Sequence, residues 1–78
     1  MEIVDEDTYY EMIEEIQDKG SMDADVFFDK WVKCIGGESD FSVDDAMNAF
    51  MDASKIEVKY KEASNRVAFA GYIDDDEY

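Results

Sequence analysis

Along this chain of 78 residues the apolar positions recur at a helical spacing as far as Ser54 and at every second residue beyond it. A chain with that switch of period is constrained to helices first and strands last, an α+β arrangement. Thr8-Tyr9-Tyr10-Glu11 has the form of a capping box, in which the Thr hydroxyl and the Glu carboxylate satisfy free backbone N–H groups reciprocally, so the first helix is expected to start at Thr8. Tyr9, Met12, Ile13 and Ile16 then fall on one stripe, and Lys19-Gly20 reads as the end. A second helix is expected from Asp23 to Gly36-Gly37. Its residues Phe27, Phe28, Trp31, Val32, Cys34 and Ile35 cover an arc of roughly 160°, wider than a one-sided helix requires, so it should be sandwiched between other elements. Asp29, Lys30 and Lys33 form its narrow wet strip.

Ser42-Val43-Asp44-Asp45 opens a third helix by the same capping logic, running to about Ala53 with Val43, Ala46, Met47, Ala49, Phe50 and Met51 inward. Ile56, Val58 and Tyr60 alternate with Glu57, Lys59 and Lys61 as in a half-buried strand, and Val67 to Ile73 is its expected antiparallel partner. Glu62 to Asn65 makes the turn, with Asn65 suited to a left-handed conformation, and Gly71 marks a bulge or a close backbone approach. The expectation is therefore three helices followed by a C-terminal antiparallel hairpin. Residues 1–73 should form one compact domain, and the tail 74–78 should be disordered and acidic.

Charge narrows the function. Twenty-two Asp and Glu against seven Lys and Arg give a net charge of −15, and the acids are segregated: eight from Glu2 to Asp18 with no basic neighbour, five from Glu38 to Asp52, four from Asp74 to Glu77. Such a chain repels nucleic acid and anionic membranes and attracts basic proteins. The first helix carries Glu11, Glu14, Glu15 and Asp18 on one face with nothing positive, and the third carries Asp44, Asp45, Asn48 and Asp52. Solvation is the ordinary reason for a charged face, yet the pairs Glu11–Glu14, Glu11–Glu15, Glu14–Asp18 and Glu15–Asp18 each cost about 0.2–0.5 kcal/mol. A small domain has little stability to spare, and Lys at two of those sites would relieve the repulsion, so its retention points to use. The hairpin runs against this theme, with Lys55, Lys59, Lys61 and Arg66; Lys on an edge strand blocks pairing with other chains.

The order of elements resembles winged-helix domains, with Asp23 to Gly36 and Ser42 to Ala53 as the helix pair and Ile56 to Ile73 as the wing. In DNA-binding members of that fold the second helix of the pair enters the major groove, and here its outer face is Asp44, Asp45, Asn48 and Asp52, which excludes phosphate contacts. In size, charge and acidic stripes the chain also resembles the small acidic DNA-mimic inhibitors of bacteriophages, of anti-CRISPR or anti-restriction type. That resemblance implies a non-enzymatic inhibitor whose partner is a basic nucleic-acid-binding protein, held by Glu11, Glu14, Glu15, Asp18, Asp44, Asp45, Asn48 and Asp52 with Tyr10 as an aromatic anchor. The alternative is an adaptor docking by shape, anchored by an apolar patch drawn from Phe27, Trp31 or Tyr72. A homodimer stays open.

Other chemistries find little footing. No His accompanies Cys34, so neither an activated thiol nor a zinc site is expected, and the lone cysteine agrees with a reducing, cytoplasmic setting. Aligning Gly36 to Asp45 with a calcium loop puts Cys34 and Gly36 at carboxylate positions, and the spacing fails. No cofactor, no metal, no direct nucleic-acid binding and no membrane association are expected, and no apolar run approaches the roughly 20 residues that span a bilayer.

Overall fold

A computed structural model describes residues 3–37 and 40–73. Its elements are α1 (Glu6–Lys19), β1 (Ser21–Asp23), α2 (Ala24–Cys34), α3 (Val43–Ser54), β2 (Ile56–Lys61) and β3 (Arg66–Tyr72). The strands form one antiparallel sheet in the order β1-β3-β2. The fold class is thus α+β with three helices, but the expected order of three helices and then a hairpin is corrected by β1, which lies between α1 and α2 and makes β3 the central strand. The register pairs Ser21 with Ala68, Met22 with Val67 and Asp23 with Arg66, and the Arg66 guanidinium donates to the Ser21 hydroxyl at 2.8 Å and carbonyl at 3.2 Å. Three residues are too few for alternation to register in a sequence; the pairing exists because β3 offers a second edge.

The start of α1 also differs from expectation. Asp5, not Thr8, is the N-cap: its carboxylate accepts the Thr8 N–H at 3.2 Å, and the Thr8 hydroxyl donates to its other oxygen at 3.0 Å. Asp is the stronger cap, and starting there places Glu6 and Asp7 at the positive end of the helix dipole. The backbone N–H groups of Val4 and Asp5 both donate to the Cys34 carbonyl, at 2.7 and 3.2 Å, so the leading segment satisfies an otherwise open end of α2. Gly20 ends α1 in the left-handed conformation, φ 84°, with its N–H on the Ile16 carbonyl. Asp23 closes β1 and caps α2 at once, accepting from the N–H groups of Asp25 and Val26.

As its wide apolar arc requires, α2 packs against α1, α3 and the sheet. Phe27, Trp31 and Cys34 are buried, while Phe28, Val32 and Ile35 are half-buried. They meet Met12 and Ile16 of α1, Met47 and Phe50 of α3, and Met22, Ile56, Val58 and Val67 of the sheet in one core. Phe50 is its aromatic hub, edge-on to Phe27 at 5.3 Å and to Trp31 at 6.0 Å. The α3 capping box is present as expected: the Ser42 hydroxyl accepts from the Asp45 N–H, and the Asp45 carboxylate accepts from the Ser42 N–H. In the hairpin Asn65 is left-handed at φ 53°, and the register slips between Glu57, opposite Gly71, and Val58, opposite Phe69. Ala70 is the extra residue of that bulge, and Gly71 beside it takes φ 128°. The expected acidic tail 74–78 lies outside the described residues, as does Glu38.

Candidate functional site: two acidic helix faces

The two stripes meet different fates. On α3 the structure keeps the expected face whole, with Asp44, Asp45, Asn48 and Asp52 all exposed. Asp45 commits one oxygen to the capping box at 3.4 Å, and among the described residues no cation pairs with any of the three carboxylates. On α1, Glu14 and Asp18 are exposed and Glu15 is half-buried, but Glu11 is not part of an unbroken negative row. The Lys30 ammonium of α2 donates to its carboxylate at 3.2 Å. The expectation of a face with nothing positive beside it is corrected there. Sequence spacing places Glu11 on the outer side of its own helix and cannot show that the wet strip of α2 lies alongside.

That pair sits in a cleft of about 390 Å³ lined by Asp5, Asp7, Thr8, Glu11, Asp29, Lys30 and Lys33. Asp5 is held below the usual carboxylate range, first by the Thr8 backbone N–H and then by the Thr8 hydroxyl. A second cleft, about 260 Å³, joins Asp44 to Asp25, Tyr60 and Asn65, and a third of about 130 Å³ joins Asp52 to Ile3, Trp31, Ala49 and Ala53. None of these clefts brings members of both stripes together. The indole N–H of Trp31 is buried, with no acceptor among the described residues.

Tyr10 is 56% exposed, its ring 5.4 Å from Tyr9, so the geometry leaves it available as an anchor while Tyr9 packs toward Trp31 and Phe50. Of the apolar anchors expected for an adaptor, Phe27 and Trp31 are corrected: both are core residues with no surface to offer. Tyr72 remains, 65% exposed, packed edge-on to Phe69 with its hydroxyl accepting from Gln17 at 3.1 Å. Cys34 is buried, its Sγ 3.7 Å from the Met12 sulfur, and burial pushes its thiol up to about 11, against the smaller pull of Lys30 and Lys33. Such a thiol is protonated at neutral pH and a poor nucleophile. Among the described residues no group of three or more Cys, Asp or Glu is placed to hold a metal ion, and no helix is long and apolar enough to cross a membrane.

Sequence reasoning missed Lys30, Asp25 and Tyr60 as neighbours of the acidic residues. Lys30 carried a readable signal, since a cation in the wet strip of a sandwiched helix must lie beside one of the flanking helices. No family model, curated protein or solved structure matches the chain.

Proposed function

We propose that this protein is a non-enzymatic inhibitor that docks on a basic, nucleic-acid-binding protein and competes with nucleic acid for its site. The observation that carries the reading is the α3 face: four exposed polar residues, three of them carboxylates, without a neutralising cation among the described residues. On α3 Asp45 and Asp52 are two turns, about 10 Å, apart along the axis with Asn48 between them, and on α1 Glu14 and Asp18 are one turn, about 6 Å, apart, rows of negative charge that a groove lined with Lys and Arg for phosphates accepts. Glu14, Glu15 and Asp18 of α1 extend the surface, Tyr10 supplies an aromatic contact at its margin, and Glu11 serves less because Lys30 already holds it. On this reading the α2–α3 pair and the β2–β3 hairpin form a winged-helix-like frame whose outer helix presents anions where a DNA-binding relative would present cations. Action in the cytoplasm of a cell that harbours the target, in the manner of phage anti-CRISPR or anti-restriction proteins, belongs to the same proposal.

The test is affinity capture from bacterial lysate at low salt, with each captured protein then assayed for displacement by duplex DNA and for binding to the Asp44→Asn/Asp45→Asn/Asp52→Asn variant. Competition supports the reading when DNA displaces the protein, salt releases it and the triple variant loses it. A partner retained at high salt and indifferent to DNA and to the variant would instead establish shape-specific docking, for which exposed Tyr72 is the anchor to mutate.

A further inference from the structure

At the first turns of α2 and α3, beside β2, a cleft of about 260 Å³ is lined by Ala24, Asp25, Ser42, Val43, Asp44, Tyr60 and Asn65. Tyr60 has the same strand parity as the buried Ile56 and Val58, yet it is 41% exposed and lines the cleft together with the helix ends. Asn65 fixes the walls. Its backbone carbonyl accepts from the Ala24 N–H at 2.9 Å, and its side-chain oxygen accepts from the Tyr60 hydroxyl at 2.7 Å. One residue in a left-handed turn thereby ties α2 and the aromatic ring into a single frame.

Charge is arranged in the same place. Asp23 and Asp45 are occupied in capping α2 and α3, whereas Asp25 and Asp44 are exposed, and no cation pairs with them among the described residues. Two anions from different helices therefore line the same cleft as an aromatic ring, beside half-buried Val43. A planar guanidinium suits this combination. It stacks on a tyrosine face while its edges donate to carboxylates, and it sheds water more readily than an ammonium. A cleft of this volume has room for one extended side chain.

We infer that this cleft is an arginine slot, in which Tyr60, Asp25 and Asp44 receive one arginine side chain of the basic partner. The inference rests on the proposed acidic-surface function and specifies where its orienting contact is made. Because the ring and the α2 end are already held by Asn65, little ordering accompanies binding, and the slot can set the register of the longer α3 face on the partner.

The test is a ¹H–¹⁵N NMR titration of the whole chain with N-acetyl-arginine amide, and with N-acetyl-lysine amide as comparison. Saturable shifts confined to Ala24, Asp25, Ser42, Val43, Asp44, Tyr60 and Asn65 are expected, with the arginine probe the tighter. Tyr60→Leu should weaken it about three- to fivefold, the loss of one cation–π contact. Asp25→Asn/Asp44→Asn, two exposed substitutions that leave the core alone, should weaken it independently. Shifts spread over all acidic residues without saturation, or unchanged affinity in folded Tyr60→Leu, would overturn the slot. The parent reading fails separately: DNA-competitive binding of a basic protein that persists in Tyr60→Leu at full strength rejects the slot and leaves the acidic face standing. A saturable arginine shift with no DNA-competitive partner does the reverse.

Discussion

Replacing Glu14 by Lys should stabilise this protein while weakening its proposed contact. Glu14 is exposed and has like-charged neighbours at Glu11 and Asp18. Each repulsion at these spacings is about 0.2–0.5 kcal/mol, and each becomes an attraction of similar size on charge reversal. Counted from the sequence alone, two pairs reversed give about 1–2 kcal/mol. The structure lowers that figure, because Lys30 already engages Glu11 at 3.2 Å, and a Lys four residues ahead of Asp18 is the weaker orientation. About 0.5–1 kcal/mol remains at low ionic strength, or about 2–8 °C in melting temperature for a domain of this length. Urea unfolding at 20 mM and 500 mM NaCl reads it directly: the gain should be present at low salt and mostly gone at high salt, since exposed charges are screened. No gain at low salt, or an equal gain at both, would refute the claim that α1 holds unrelieved repulsion, and with it the argument that the repulsion is retained for binding.

Phe50→Ala removes the hub between Phe27 and Trp31 and should cost about 3–5 kcal/mol, leaving far-UV dichroism at 25 °C partly or wholly that of an unfolded chain. Asp5, held low by Thr8, contributes stability that is complete above the unfolded carboxylate pKa of about 3.9 and is lost as pH falls through its folded value; Asp5→Asn should flatten that part of the acid limb in denaturant titrations from pH 2 to 6. The neutral Cys34 thiol contributes in the opposite sense, intact below its ordinary value of 9.0 and falling as pH rises toward about 11. At pH 8 it should react with a thiol reagent only after unfolding, and a rate in water equal to that in urea would contradict its burial.

The helices were legible because each carries both a cap and a stripe. Ser42 and Asp45 sit three apart ahead of an apolar run, and the capping box they announce forms. Asn65 and Gly71 were legible for a related reason, since few residues tolerate the positive φ that the turn and the bulge require. The start of α1 was misplaced because two polar residues compete for the cap, and only the burial of Thr8 and the backbone hydrogen bond from Val4 to the end of α2 favour Asp5. β1 was illegible: Ser21-Met22-Asp23 has no local signature, and it becomes a strand through the edge of β3, forty-five residues downstream of Ser21 at Arg66.

Composition and period by themselves determined that this chain forms amphipathic helices and a hairpin, that its surface is anionic, and that α3 turns Asp44, Asp45, Asn48 and Asp52 outward. These depend on intervals of three, four or two residues and on the sign of each charge. Which charges stay unpaired was decided by tertiary structure alone, because a salt bridge such as Lys30–Glu11 joins residues nineteen apart and depends on how two helices lie together. The same holds for the Tyr60 cleft, which assembles from α2, α3 and β2 once β3 is in place between β1 and β2.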